Sequence, residues 1–174
     1  KLDGMRCLAH IKSGNVTLVS RDGKLITTVT HIIDELSAIK QDIILDGELY
    51  AHGLSFQENM KLIKKYRLDE TEKISYHVYD VIKDQDFFSR FSLLKKFRDI
   101  VVVVDTAVVS NEEELKSFHS RNLADGYEGS IIRWGDAEYK VNGRSSNLLK
   151  YKDFLDLDAT IIDIEPAEQR PDWG

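Results

Sequence analysis

Two strand-like runs near the start of the chain, residues 5–12 and 15–20, limit the folds open to this sequence. The cluster Ser13-Gly14-Asn15 between them is rich in turn-forming residues, so the two runs predict a β-hairpin. A second turn is predicted at Arg21-Asp22-Gly23-Lys24, where Asp-Gly favours the positive φ angles of a tight hairpin. We therefore expect the chain to begin with antiparallel strands.

Helices and further strands alternate over the rest of the sequence. Helices are predicted at 31–40, where Thr30 can cap the start, and after Ser55-Phe56-Gln57-Glu58, a capping-box pattern. The clearest helix is 111–124, with Asn111 as its cap. A shorter helix is predicted at 90–98, a buried strand at 100–104, and other strands at 43–50, 74–82, 127–133, 137–141, 148–152 and 157–164. This order predicts an α+β domain in which antiparallel β-sheets are flanked by helices.

Composition excludes several classes of protein. The 174 residues are 42% hydrophobic, enough for one sizeable core, and the net charge of −6 has the wrong sign for a general nucleic-acid coat. Any contact with nucleic acid must therefore use local basic patches. The single cysteine, Cys7, excludes an internal disulfide and a cysteine-rich zinc site, and it indicates a reducing compartment. The sequence has no apolar run long enough to span a bilayer and no secretory signal.

The first candidate for chemistry is the stretch Lys1-Leu2-Asp3-Gly4-Met5-Arg6. A lysine amine is a nucleophile only when it is neutral, and burial or nearby cations can supply that form. Gly4 allows the backbone to turn or a ligand to approach closely, and Arg6 offers a planar fork to phosphate or ribose oxygens. A solvated, flexible chain start is the alternative interpretation.

Acidic side chains provide two further candidates. Asp46 and Glu48 share one face of the strand 43–50, where they could hold hydrated Mg²⁺ or a ribose hydroxyl; an edge strand with an Asp-Gly turn is the alternative. In Asp125-Gly126-Tyr127-Glu128-Gly129, the glycines leave room for a phosphate or metal, which makes Glu128 a metal-ligand candidate. The alternative is a helix stop followed by a bulge.

An aromatic residue and two lysines complete the set. Tyr79 could stack on a nucleobase, although core packing is the usual role of a strand tyrosine. His77 has no partner at metal-ligand spacing, so we expect it to be structural or exposed. Lys150 and Lys152 share a strand face, where two ammonium groups repel each other unless an anion such as a triphosphate lies between them. A solvated strand face is the alternative.

The order and spacing of these stretches resemble the covalent nucleotidyltransferase superfamily, which includes ATP-dependent and NAD-dependent DNA ligases, RNA ligases and mRNA capping enzymes. KLDGMR is similar to the nucleophile motif, and LDGELY, HVYD, DGYEGSIIR and LLKYK are similar to later motifs in the same order. DGYEGSIIR and NGRSSNLLKYK most resemble ATP-dependent DNA ligases. The resemblance implies an ATP-grasp-like nucleotidyltransferase (adenylation) domain at 1–153 and the incomplete start of a C-terminal OB-fold domain at 154–174.

The resemblance also implies a role for each motif residue. Lys1 is expected to attack the α-phosphate of ATP and become adenylylated, and Glu128 is expected to bind Mg²⁺. The expected nucleotide-binding residues are Arg6 for the ribose or the 5′-phosphate of a nick, Arg21 for phosphate, Glu48 for a ribose hydroxyl or metal, Tyr79 for adenine, and Lys150 and Lys152 for the α-phosphate.

The implied reaction seals DNA in three phosphoryl transfers. AMP passes from ATP to Lys1 and then to the 5′-phosphate of a nick, before the 3′-hydroxyl displaces AMP. ATP and Mg²⁺ are the implied cofactors, and nicked double-stranded DNA is the implied partner. We expect no membrane partner, and a monomer in the cytoplasm of a bacterial cell or a virus-infected host cell.

Two departures from the family pattern and two rival functions bear on that prediction. The chain starts at Lys1 without a methionine and stops at Gly174, so we expect it to be part of a longer protein. Family members carry residues before the nucleophile that help to select adenine, and a complete OB-fold domain whose basic motif orients pyrophosphate. We therefore expect the isolated chain to adenylylate itself poorly.

Two other functions are alternatives to a DNA ligase. An RNA ligase or a capping guanylyltransferase is one alternative, and a non-catalytic module that binds nucleotide or DNA ends is the other.

Overall fold

A five-stranded sheet forms the centre of the protein in a computed structural model, which describes residues 1–141, 145–153 and 160. Its strands are β1 (Met5–Lys12), β2 (Asn15–Ser20), β3 (Ile43–Tyr50), β4 (Ser75–Val81) and β5 (Val102–Val103). They lie in the order β2-β1-β3-β4-β5, with antiparallel pairs throughout except for the parallel pair of β4 and β5. The predicted α+β class with an antiparallel sheet is confirmed, and so is the predicted hairpin at its start.

One face of this sheet packs into the hydrophobic core. Side chains alternate across a strand, so Cys7, Ala9 and Ile11 of β1 point to the same side, where all three are buried. Leu45 of β3 lies opposite Ala9 and is also buried. The other face carries Arg6 and the polar side chains beside it, and the candidate site forms there.

Helices cover the core face and the sheet edges. The helices of the described residues are α1 (Thr30–Leu36), α2 (Phe56–Lys64), α3 (Phe87–Leu94) and α4 (Glu112–Ala124), with short 3₁₀ turns at Thr71–Lys73 and Lys95–Phe97. The buried hydrophobic residues of α1, α2 and α3 belong to the same cluster as those of the sheet. Within the described part of the chain, no helix combines the length and the apolar character that a bilayer crossing needs.

Two of the predicted helix caps are present and one is wrong. Ser55 forms the predicted capping box with Glu58, and the Asn111 side chain accepts a 2.9 Å hydrogen bond from the backbone N–H of Glu114. Thr30, in contrast, is the first helical residue of α1, because Val29 takes the cap position without a side-chain hydrogen bond. That helix also ends at Leu36 rather than at residue 40.

Other boundaries differ where tertiary contacts override the local pattern. Helix α3 begins at Phe87, three residues before the predicted segment 90–98, because the Asp86 side chain caps it by accepting a hydrogen bond from the backbone N–H of Ser89. The predicted buried strand 100–104 is reduced to β5 at the sheet edge, and its Val102 is 46% exposed. The predicted strand 137–141 is only an isolated bridge of Glu138. The predicted strand 157–164 and the predicted domain start at 154–174 lie outside the described residues apart from residue 160.

A separate two-stranded ribbon carries the later motifs. It consists of β6 (Ser130–Arg133) and β7 (Leu148–Tyr151), which pair Ser130 with Tyr151 and Ile131 with Lys150. Gly129 precedes β6 at φ +152°, and a Cβ there would lie 2.5 Å from the carbonyl oxygen of Tyr151. Glycine is therefore required where the two strands of the ribbon meet.

A β-bulge interrupts the pairing of β3 with β4. Asp46 lies opposite Asp80 and Gly47 lies opposite Val78, so Tyr79 is an extra residue on β4. The bulge returns Asp80 to the face that carries Asp46. It also sets Tyr79 at the point where the candidate site forms.

Candidate active site

The amine of Lys1 contacts Glu128 at the centre of the site. Lys1 Nζ donates to Glu128 Oε2, and the backbone nitrogen of Lys1 donates to the carbonyl oxygen of Gly129. On the other side, Lys152 Nζ lies 3.5 Å from Glu128 Oε1. Partial burial pushes the pKa of Glu128 up, but the hydrogen bond and charge of Lys1, together with Lys152, outweigh it and hold the pKa below its usual value. One carboxylate thus joins two ammonium groups that lie 151 positions apart in the chain.

Glu48 lies close to the same lysine. Its Oε1 accepts a 2.8 Å hydrogen bond from the backbone N–H of Gly4, and the charge of Lys1 acts on it as well. Burial is the larger effect and raises the pKa of Glu48 above its usual value. A Cβ on Gly4 would overlap the carbonyl oxygen of Leu49. This glycine therefore allows β3 to approach closely, whereas the sequence suggested a backbone turn or the close approach of a ligand.

Arg6 forms a two-pronged ion pair with Asp46. Its Nε and one terminal nitrogen donate to the two carboxylate oxygens at 3.0 and 2.8 Å, and this interaction raises the pKa of Arg6. Tyr139 adds a 2.7 Å hydrogen bond from its hydroxyl to Asp46. The Arg6 side chain is 44% exposed, so its remaining N–H groups can still meet an anion. The expectation that Asp46 itself holds metal or ribose does not fit a carboxylate that is already paired in this way.

Tyr79 lies beside this ion pair. It is half-buried at the bulge of β4, and burial raises its pKa well above the usual value, with further upward effects from Asp46 and Glu48. A bulge commonly re-aims a side chain beside an active site. Its position fits the predicted contact with a nucleobase, which stays a prediction.

Two arginines share one buried carboxylate behind the site. Arg90 of α3 donates to both oxygens of Asp80, at 2.7 and 3.2 Å, and Arg133 of β6 contacts the same carboxylate. Asp80 and Arg90 are almost completely buried. Arg90 also lies 5.6 Å from the centre of the Tyr139 ring, so this network adjoins the pair of Arg6 and Asp46. It connects the ribbon to the sheet.

The remaining predicted residues lie outside this set of contacts. Among the described residues, Arg21 and Lys150 form no hydrogen bond or ion pair with another side chain, and both are exposed. Arg21 follows Ser20, the partner of Cys7, so it lies at the end of the sheet where Arg6 lies. His77 is half-buried and its ring lies 5.4 Å from that of Tyr50, in keeping with the structural role expected for it.

Several residues of the site were not found by the sequence analysis. The sequence alone does not point to Tyr139, Arg90, Arg133 or His119, and Asp80 stands out only as the last residue of the HVYD motif. Arg133 lies two residues after Ile131 and so shares its strand face, and Ile131 pairs with Lys150. Strand alternation could therefore have placed Arg133 on the same face of the ribbon as Lys150. No group of three or more histidine, cysteine, aspartate or glutamate side chains suited to a metal occurs in the part of the chain that the structure describes.

Comparison with known proteins identifies the family. A family model described as "ATP dependent DNA ligase domain" matches residues 1–152. The chain belongs to this family. The matched residues include Lys1, Glu128 and Lys152, whose contacts are described above. The candidate site therefore lies within the ligase domain.

Named relatives of this ligase domain come from archaea and viruses. The DNA ligase of Methanothrix thermoacetophila is 29% identical over 185 residues, which span 93% of this chain and 33% of that protein. The DNA ligase of African swine fever virus (isolate Warthog/Namibia/Wart80/1980) is 25% identical over 197 residues, which span 100% of this chain and 45% of that protein. The ligase domain described here therefore spans between a third and a half of the length of these relatives.

Solved structures give the same result for the fold. Chlorella virus DNA ligase-adenylate has a TM-score of 0.70 and 25% identity over 87% of this chain and 59% of its own. A structure named Pmar-Lig_PreS3 has a TM-score of 0.76 and 25% identity over 89% of this chain and 41% of its own. The fold is that of the ATP-dependent DNA ligase domain.

Proposed function

We propose that this chain is the adenylating part of an ATP-dependent DNA ligase and that Lys1 is its nucleophile. The observation that carries the proposal is the contact of Lys1 Nζ with Glu128, beside Lys152 and within reach of the Glu48 charge. An amine, a carboxylate and a second cation are the groups that an attack on a nucleoside triphosphate requires.

The first step is an in-line displacement at the α-phosphorus of ATP. Lys1 Nζ forms a P–N bond, the bond to the leaving pyrophosphate breaks, and the amine loses a proton. An amine attacks only in its neutral form, and Glu128 contacts Nζ and can receive the proton. Lys152 is positioned to neutralise charge that builds on the phosphate oxygens.

The neighbouring residues bind the rest of the nucleotide in this proposal. Tyr79 stacks on adenine, and Glu48 accepts from a ribose hydroxyl. Arg6 contacts the ribose or, later, the 5′-phosphate of the nick through the N–H groups that Asp46 leaves available. Arg21 and Lys150 bind phosphate, a role that requires their exposed side chains to turn towards the ligand.

Mg²⁺ fits this set of side chains. It binds through one or two carboxylates together with substrate phosphates, and Glu128 and Glu48 are carboxylates that both interact with Lys1. When bound, the ion would neutralise charge on the phosphate oxygens.

Nicked double-stranded DNA is the proposed partner of the complete protein. AMP moves from Lys1 to the 5′-phosphate of the nick, and the 3′-hydroxyl then displaces AMP with formation of the phosphodiester bond. We propose that the protein acts as a monomer in the cytoplasm of a bacterial cell or of a virus-infected host cell. A duplex must meet local basic groups here, because the chain as a whole has a net charge of −6.

The test is covalent labelling of the full-length protein with α-labelled ATP and Mg²⁺. We expect an acid-labile label in the wild type, none in Lys1→Ala, and unchanged labelling in Lys116→Ala, which removes an exposed lysine of α4. Peptide mapping should assign the label to the ε-nitrogen of Lys1. ATP binding without a covalent product, or full labelling of Lys1→Ala, would contradict the proposal.

Substrate competition separates the proposal from its rivals. A ligase of DNA is expected to prefer ATP over GTP and NAD, and nicked DNA over RNA ends. Transfer of GMP would indicate a capping guanylyltransferase, and sealing of RNA ends alone would indicate an RNA ligase.

A further inference from the structure

A buried histidine links β6 and β7, the two strands of the ribbon. His119 of α4 is 5% exposed, and its Nδ1 lies 3.1 Å from the hydroxyl of Ser130. Its Nε2 lies 3.4 Å from Oδ1 of Asp153, and its ring centre lies 4.3 Å from that of Tyr151. One side chain therefore contacts the start of β6, the end of β7 and the second residue after β7.

One arrangement of protons gives every hydrogen bond around this ring both a donor and an acceptor. The amide nitrogen of Asn122 donates to the Ser130 hydroxyl at 2.9 Å, so that hydroxyl is free to donate its own proton to Nδ1 of His119. Nε2 then carries the ring proton and donates it to Asp153. In this arrangement His119, Ser130 and Asp153 each have a hydrogen-bond partner.

The positions of these partners connect them to the candidate site. Ser130 follows Glu128 by two residues, and Asp153 follows Lys152 directly. Along the chain, Tyr151 and Asp153 contact His119 while Lys152 contacts Glu128, so alternate residues serve opposite sides of the ribbon. His119 supports from behind the segments that bring Lys152 and Glu128 together.

We propose that His119 is a positioning residue for the first step of the reaction, acting through Lys152. It fixes the end of β7 against the start of β6, so that Lys152 is held beside Glu128 and, in the proposed complex, beside the α-phosphate. The proposal rests on the proposed function for the identity of that phosphate. Misplacement of a group that stabilises charge in the transition state lowers the rate more than it lowers substrate binding.

The test uses single-turnover adenylylation of the full-length protein over a range of ATP concentrations. His119→Phe keeps a ring against Tyr151 but removes both hydrogen bonds, and we expect its maximal rate to fall about 10-fold while half-saturation by ATP changes less than about threefold. His119→Gln keeps an amide that can reach one partner, and it should recover part of the rate. Glu112→Gln, an exposed change on the same helix, should leave both values unchanged.

A double-mutant cycle separates this role from a general structural one. In a Lys152→Ala background, His119→Phe should lower the rate less than about twofold, because the residue through which it acts is missing. An equal loss in both backgrounds would overturn the proposal. So would a loss that appears only in the half-saturation by ATP.

A nucleotide-free measurement distinguishes failure of this proposal from failure of the proposed function. If the wild type carries no label on Lys1, the proposed function fails, and amide hydrogen exchange across 130–133 and 148–152 still tests the linkage. Faster exchange there in His119→Phe, but not in Glu112→Gln, would support His119 as the link between the strands. Unchanged exchange in His119→Phe would overturn it.

Discussion

At the scale of single residues, Glu128 is the group that holds the candidate site together. Its two oxygens contact Lys1 and Lys152, and these contacts lower its pKa against the opposing effect of burial. The carboxylate is therefore more stable as an anion in the folded protein than in the unfolded chain. Its stabilising effect is present above the ordinary pKa of 4.5 and is lost as the pH falls through the lower, folded value.

This sign gives a test with Glu128→Gln. Glutamine resembles the protonated acid in shape, so the melting temperature of the wild type should exceed that of the variant at neutral pH, and the gap should close as the pH falls through the lowered pKa of Glu128. Thermal denaturation of both proteins between pH 3 and 7 measures it. A gap that widens in acid would contradict the assignment. In the labelling assay, the same variant should lose about 100-fold in rate, because the group proposed to receive the proton is gone.

Alternation along strands predicted part of this chemistry and missed the rest. It correctly set Asp46 and Glu48 on one face of β3. The partner of Asp46 is Arg6 of β1, and the pairing of β1 with β3 that brings them together cannot be read from either strand alone. The Arg6 pair and the hydroxyl of Tyr139 therefore became visible only in the fold.

At the scale of elements, local patterns succeeded where the chemistry is local. A capping box needs only four consecutive residues, and the one that begins with Ser55 formed as predicted. The bounds of α1 and β5 were wrong, because they depend on packing against distant elements. Val102 belongs to an apolar run but lies on the sheet edge, where pairing with β4 covers only two residues.

Gly129 offers a test of how tightly the ribbon is joined. Gly129→Ala adds a Cβ 2.5 Å from a backbone oxygen at a positive φ, and we expect it to lower the free energy of unfolding by at least about 2 kcal/mol. Gly53→Ala is the matched control, since its φ is +84° but no atom lies within 4 Å, and about 1 kcal/mol is expected. Urea denaturation of both variants gives the comparison. Equal losses would mean that the close contact with β7 adds nothing.

At the scale of the whole molecule, one carboxylate connects three elements. Asp80 of β4 binds Arg90 of α3 and Arg133 of β6, and the pair of Asp80 and Arg90 is shielded from water. Removing one member of a buried ion pair leaves charge without compensation, which is more costly than the pair itself is stabilising. The attachment of the ribbon to the sheet therefore depends on this acid.

We expect Asp80→Asn to lower the free energy of unfolding by about 3–5 kcal/mol. The control is Asp105→Asn, which breaks the exposed pair of Asp105 with Arg121 and should move the unfolding midpoint little. Chemical denaturation monitored by tryptophan fluorescence measures both. Similar midpoints for the two variants would show that the buried network does not determine stability.

The order of the motifs predicted their convergence better than any single motif did. The structure brings Lys1, Glu48, Glu128 and Lys152 together, as the family resemblance implied, and the family match covers the same stretch. The orientation of Arg21 and Lys150 was not predictable in the same way, because exposed side chains are not fixed by packing. Their roles remain proposals that depend on a bound nucleotide.

The extra residue in β4 means that one deletion, that of Tyr79, would leave the strand pairing of the sheet unchanged. Deleting a residue from a regular strand turns every later side chain to the opposite face. Deleting Tyr79 would instead bring Val78 and Asp80 into consecutive pairs with Gly47 and Asp46, which are the pairs that they already make. The ring proposed to stack on the base thus belongs to a single bulge residue. Changing or removing that residue alters the proposed base contact but keeps the pairing of β3 with β4.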